Sequence, residues 1–169
     1  TNILHHRLTT YGPRFSLAAA LQGLDVSPNE LEIAKENVYR RILEHAWGDE
    51  VVTPQEQQLL GWFIRCLAIP ESKAREIYLE FARNRFAVAL GKAMEDGVLE
   101  PQEETCLAQI AGSAGYTLPQ FARTFFQGHA EAFLRGVFMA AVAEGHLSEE
   151  QWMHLLQMTQ KFGLTKEEL

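Results

Sequence analysis

Apolar residues recur at three-and-four spacing along nearly the whole chain, and strand-like alternation is almost absent. That periodicity predicts helices throughout. Phe15, Leu17, Ala18 and Leu21 begin a short helix that stops near Gly23. Ser27 before Pro28, with Glu30 three residues after the serine, has the form of a capping box with proline in the first turn, and opens a helix to about Ala46. Thr53-Pro54-Gln55-Glu56 repeats that start signal ahead of Leu59, Leu60, Phe63, Ile64 and Leu67. Two longer stripes follow the short helices. The first runs from Ser72 to about Met94 through Ile77, Tyr78, Phe81 and Leu90. The second runs from Leu118 to Val142 through Phe121, Phe125, Phe133, Val137, Phe138 and Ala141.

The start signal belongs to a phrase that the chain repeats. Asp49 opens DEVVTPQE, Asp96 opens DGVLEPQE 47 residues on, and Ala143 opens a degenerate AEGHLSEE with Glu144 in the Asp position. The five apolar positions of the first short helix map onto Cys106, Leu107, Ile110, Ala111 and Ala114, then onto His154, Leu155, Met158, Thr159 and Phe162. Each short helix ends in a matching elbow: Ala68-Ile69-Pro70, Gly115-Tyr116-Thr117 and Gly163-Leu164-Thr165. A fixed spacing of about 47–48 residues marks a helix-turn-helix unit that buries its apolar face by stacking on its neighbours. The expected fold class is therefore all-α, a bundle of about seven helices in one domain over 1–169. It divides into an N-terminal cap over 1–38, repeats over 39–85 and 86–132, and a partial repeat over 133–169.

Composition adds limits. With 169 residues and 47% hydrophobic content, the chain is long enough for a real core without metal or disulfide support. Cys66 and Cys106 are one pair, both on faces expected to be core, which is no disulfide framework and fits a cytoplasmic or other reduced compartment. A net charge of −7 argues against nucleic acid, whose binding needs concentrated Lys and Arg. No apolar run is long enough to span a bilayer, which leaves peripheral association with a membrane as the only lipid contact expected.

The run Ala93 to Leu118, with an Asp-Gly turn, Pro-Gln-Glu, a short apolar helix and a Gly-Tyr-Thr elbow, resembles the tellurite-resistance TerB-like superfamily. That resemblance extends over roughly residues 40 to 169. It implies an all-helical fold, a stress-response setting, and acidic turns that gather ligands for a cation, with Asp96 as the matching position. The alternation of long and short helices also resembles the stromal helical repeats of the large chloroplast inner-envelope import protein. This second resemblance implies a scaffold segment of a protein-translocation complex and a stromal location. Only Asp96-Gly97 keeps the turn intact; the first unit has Asp49-Glu50 and the third Glu144-Gly145.

Three kinds of chemistry remain to be weighed. Asp96, Glu100 and Glu103 offer hard oxygen ligands of the kind calcium or magnesium takes, although Val98 at the third loop position removes an EF-hand. The competing expectation is that acidic residues gather at helix N-termini because they complement the dipole and cap free amides. No Glu-x-x-His, His-Glu-x-x-His, Gly-x-Ser-x-Gly or glycine-rich phosphate loop is present, so no enzymatic activity and no organic cofactor are expected. His5-His6 reads as a flexible tail. Arg83, Arg85 and Arg123 read as solvated or paired with glutamates. Trp62 and Trp152 stand off the apolar stripes and are candidate anchors for a protein partner, as Trp47 is more weakly.

Overall fold

The computed structural model describes residues 2–48, 52–93, 99–143 and 148–165. Among these, eight α-helices and no strand are present: α1 (Asn2–Tyr11), α2 (Leu17–Leu21), α3 (Pro28–Ala46), α4 (Pro54–Leu67), α5 (Glu71–Ala93), α6 (Pro101–Ser113), α7 (Leu118–Ala143) and α8 (Glu149–Lys161). A 3₁₀ turn, Gly12–Arg14, joins α1 to α2. The all-α expectation is met, with one helix more than the pattern predicts. The extra helix is α1, and it corrects the reading of His5-His6 as a tail. Its Leu8 is buried, and Arg41 of α3 donates from Nη1 to Asn2 Oδ1 at 3.0 Å.

Start signals are local and alike. Thr53 N–H donates to Glu56 Oε2 at 2.8 Å while Glu56 N–H donates back to Thr53 Oγ1 at 3.3 Å. Ser27 with Glu30 opens α3 in the same manner, and Ser148 with Gln151 opens α8. These reciprocal bonds satisfy amides that no helical carbonyl can reach. Stops are equally regular. Ala68, Gly115 and Gly163 have φ of 48°, 84° and 70°. The amide that follows each one reaches back five residues: Ile69 to Ile64 O at 3.1 Å, Tyr116 to Ala111 O at 3.0 Å and Leu164 to Thr159 O at 3.0 Å. This is the Schellman closure, which ends a helix by a left-handed residue.

The chain forms two compact units, Thr1–Phe81 and Ala82–Leu169, and α5 contributes to both. In the first unit α3 packs against α1 and α4. Val38, Tyr39, Leu43 and Trp47 are buried there with Leu60 and Leu67 of α4 and Ile77 of α5. The Trp47 and Tyr78 rings lie 5.8 Å apart, and Arg40 pairs with Glu80 at 2.9 Å, which holds α3 to the start of α5. Trp47 is thus a core residue, which corrects its candidacy as an anchor. Its indole Nε1 has no hydrogen-bond partner among the described residues.

In the second unit α7 packs against α6 and α8. Phe86 of α5 meets Phe121 and Phe126 of α7, each at 4.9 Å between ring centres, and Phe133 meets Phe162 at 6.1 Å. Arg83 sits 5.1 Å over the Phe125 ring, and Arg123 donates to the carbonyl of Gly163 at 2.9 Å. For these two arginines a ring face and a main-chain carbonyl are partners that the glutamate expectation had missed. Helix α7 is broken at Phe126, whose φ of −134° and ψ of 19° are not helical. Leu118, Ala122, Phe126, Ala130 and Leu134 are all buried, one every fourth residue. A straight helix turns about 100° per residue, so four-residue steps drift about 40° each, and the break at Phe126 falls in the middle of this row.

Candidate functional site

Aligned on their N-caps Thr53, Glu100 and Ser148, the three short helices α4, α6 and α8 show which positions are used for packing. Seven residues after the cap stand Leu60, Leu107 and Leu155, all buried. Six residues after it stand Leu59, Cys106 and His154. Leu59 is 51% exposed, Cys106 is half-buried and His154 is exposed, so this position lies at the edge of the core. The expectation that Leu59 is a core residue is corrected here. Thr159, which replaces an apolar residue, is buried because its Oγ1 donates to Leu155 O at 2.7 Å.

Of the acidic candidates, Asp96 lies outside the described residues, as do Asp49, Gly97, Glu144, Gly145 and His146. Glu100 is exposed at the N-cap of α6, and Glu103 Oε2 accepts from the Glu100 amide at 3.0 Å. Glu104 next to it accepts from Lys161 Nζ of α8 at 2.6 Å. Two of the carboxylates around this turn are therefore occupied in holding helices. Among the described residues no group of three His, Cys, Asp or Glu side chains is arranged to hold a metal ion.

The capping carboxylates have an electrostatic signature. Glu56 is held below the usual carboxylate range chiefly by the Thr53 amide and then by the Thr53 hydroxyl. Glu30 is lowered in the same way, with the Ser27 hydroxyl the larger cause. Each donor stabilises the ionised form. The thiol of Cys66 moves the other way, pushed up by burial against a smaller opposing effect of Arg65. Both cysteines are half-buried, and among the described residues neither forms a disulfide.

The two tryptophan candidates lie in different units. Trp62 on α4 is half-buried, its ring edge-on to Phe63 at 4.9 Å. Trp152 on α8 is 38% exposed, and Met153 beside it is 56% exposed. Four residues after the N-cap, Trp152 takes the place of Gln57 in α4 and Glu104 in α6. Met153 takes the place of Gln58 and Thr105. Near the C-terminal end of α7, Met139 and Val142 are also exposed, at 60% and 43%. Sequence reasoning passed over Met153, Met139 and Val142; the cap-aligned comparison of α8 with α4 and α6 is the signal that finds the first of them.

Among the described residues no helix is long and apolar enough to cross a membrane. Comparison with family models, with curated proteins and with solved structures gives no match to this chain.

Proposed function

We propose that this chain is a non-catalytic protein-interaction module, a scaffold element of the TerB-like kind, whose docking face is the first half of α8. The reading is supported chiefly by one observation: Trp152 and Met153 are apolar and solvent-facing where the equivalent positions of α4 and α6 carry Gln57, Gln58, Glu104 and Thr105. Exposing an indole and a thioether costs solvation free energy that a glutamine would not. Tryptophan concentrates binding energy at protein interfaces, and methionine adapts its shape to the partner.

A photo-crosslinking residue at Met153, with one at Gln57 as control, tests the reading in cells. The partner captured at Met153 is then purified and its affinity measured. Trp152→Ala is expected to weaken that affinity at least tenfold, which is a loss of about 1.4 kcal/mol, with the melting temperature unchanged. Equal crosslinking at both positions, or an affinity indifferent to Trp152→Ala, overturns the proposal.

A further inference from the structure

The protein is acidic as a whole, yet before Asp25 it carries no Asp or Glu, only Arg7 and Arg14 among the charged types apart from histidine. Both arginines line one cavity of about 240 Å³, with Tyr11, Phe15, Ser16 and Ala20 among the other walls. Among the described residues no acidic side chain lines it. Arg7 is fixed from one side, since Nη1 donates to the carbonyls of Ala19 at 3.3 Å and Ala20 at 2.8 Å at the end of α2. Those two bonds use a single guanidinium nitrogen. Among the described residues the Nε–Nη2 edge, the fork that grips two oxygens at once, has no acceptor.

Arg14 closes the 3₁₀ turn that begins at Gly12, whose φ of 47° sets the direction of the chain there. The turn places Arg14, a solvent-exposed residue, on the lining of the same cavity with Tyr11 and Phe15. Pockets for drug-sized ligands and cofactors start at about 300 Å³. This one is smaller, of a size for a single oxyanion group. Two cations on one solvent-open cavity, with no carboxylate among its described lining residues, together favour an anion more strongly than either would alone.

We propose that this cavity is an oxyanion-binding site, with Arg7 as the preorganised fork and Arg14 as the second cation. Its ligand is a phosphate group or a carboxylate. The inference goes beyond the docking reading and is independent of it, because the cavity belongs to the first unit and the α8 face to the second.

The test is a titration of the ¹⁵N-labelled chain with sodium phosphate and, separately, with sodium acetate, chloride holding ionic strength constant. It is followed at the amides of Tyr11, Phe15 and Ser16 and at the side-chain Nε–H of Arg7 and Arg14. Saturating shifts confined to these groups are expected with at least one of the two anions. Saturation by phosphate alone assigns a phosphate-bearing ligand, by acetate alone a carboxylate, and by both a general oxyanion site. Arg14→Gln is expected to raise the midpoint about tenfold, the loss of one charge-assisted contact. Arg14→Lys, which keeps the charge without the fork, is expected to fall between, and it serves alone if the glutamine variant does not fold. Linear shifts with both anions, shifts spread evenly over arginines elsewhere, or midpoints unchanged in the variants overturn the proposal.

Discussion

The carbonyl oxygen of Pro119 lies 2.7 Å from the point where a Cβ on Gly163 would stand. The elbow after α8 is therefore pressed against the first turn of α7, and Arg123 bonds the same glycine's carbonyl from one turn further along. Gly115 has a larger positive φ, but a Cβ there would meet nothing within 4 Å. A left-handed conformation costs an ordinary residue about 1–2 kcal/mol. Gly115→Ala is expected to lose about 0.5–1 kcal/mol by urea denaturation, because alanine's smaller freedom in the unfolded chain offsets part of that strain. Gly163→Ala must in addition displace main chain, so its loss is expected to exceed that of Gly115→Ala by about 1 kcal/mol or more. Equal losses would show that the Pro119 contact relaxes freely.

Ala68 occupies the same left-handed position in the first elbow, at φ 48°. Here the substitution runs the other way. Ala68→Gly relieves the Cβ strain, while glycine's freedom in the unfolded chain offsets part of the gain. A net stabilisation of about 0.5–1 kcal/mol is expected. A loss of stability in the same denaturation assay would refute the strain argument.

Acid should weaken the capping boxes that Glu30 and Glu56 close. Glu30 and Glu56 both have folded pKa values below their ordinary 4.5. A lowered folded value means that the contribution is present above the unfolded pKa and lost as pH falls through the folded one. The boxes therefore hold at neutral pH and fail in the range below about 4.5. Carbon-detected titration of the glutamate carboxyls should show these two with midpoints below the ordinary 4.5. In Glu56→Gln, which keeps an acceptor without a proton to gain, the part of acid destabilisation assigned to this box should vanish.

Neighbouring leucines on α4 should differ sharply. Leu60→Ala, like Leu107→Ala and Leu155→Ala, empties a packed position and is expected to cost about 2–5 kcal/mol. Leu59→Ala, at a residue half open to water, is expected to cost less than 1 kcal/mol. A large loss at Leu59 would mean that its exposed face is covered in solution.

Fold class and helix starts were legible in the sequence because each is decided by a few adjacent residues. Thr53 with Glu56 and Ser27 with Glu30 form capping boxes whatever surrounds them. The elbows were legible for the same reason, two of them through a glycine and the third through a small residue. What escaped the sequence depends on packing. Leu59 and Leu60 are both apolar neighbours on one stripe, and only the angle at which α4 meets the rest of its unit decides which is buried. The break at Phe126 has no proline to announce it. Helix α1 was hidden by His5 and His6, which look like a tail until Leu8 is seen in the core. For the candidate site, Trp152 stood out as an off-stripe tryptophan, but its exposure needed coordinates. Arg7 and Arg14 were not legible as a pair, since the turn at Gly12 is what brings them to one cavity.

The reciprocal bonds that open α3, α4 and α8 join residues only three positions apart, and the bonds that close the elbows after α4, α6 and α8 reach only five. A segment emerging from the ribosome needs no distant partner to form such bonds. Both end signals of α4 lie within or beside its own 14 residues, so they bias that segment toward helix ahead of the packing that stabilises it.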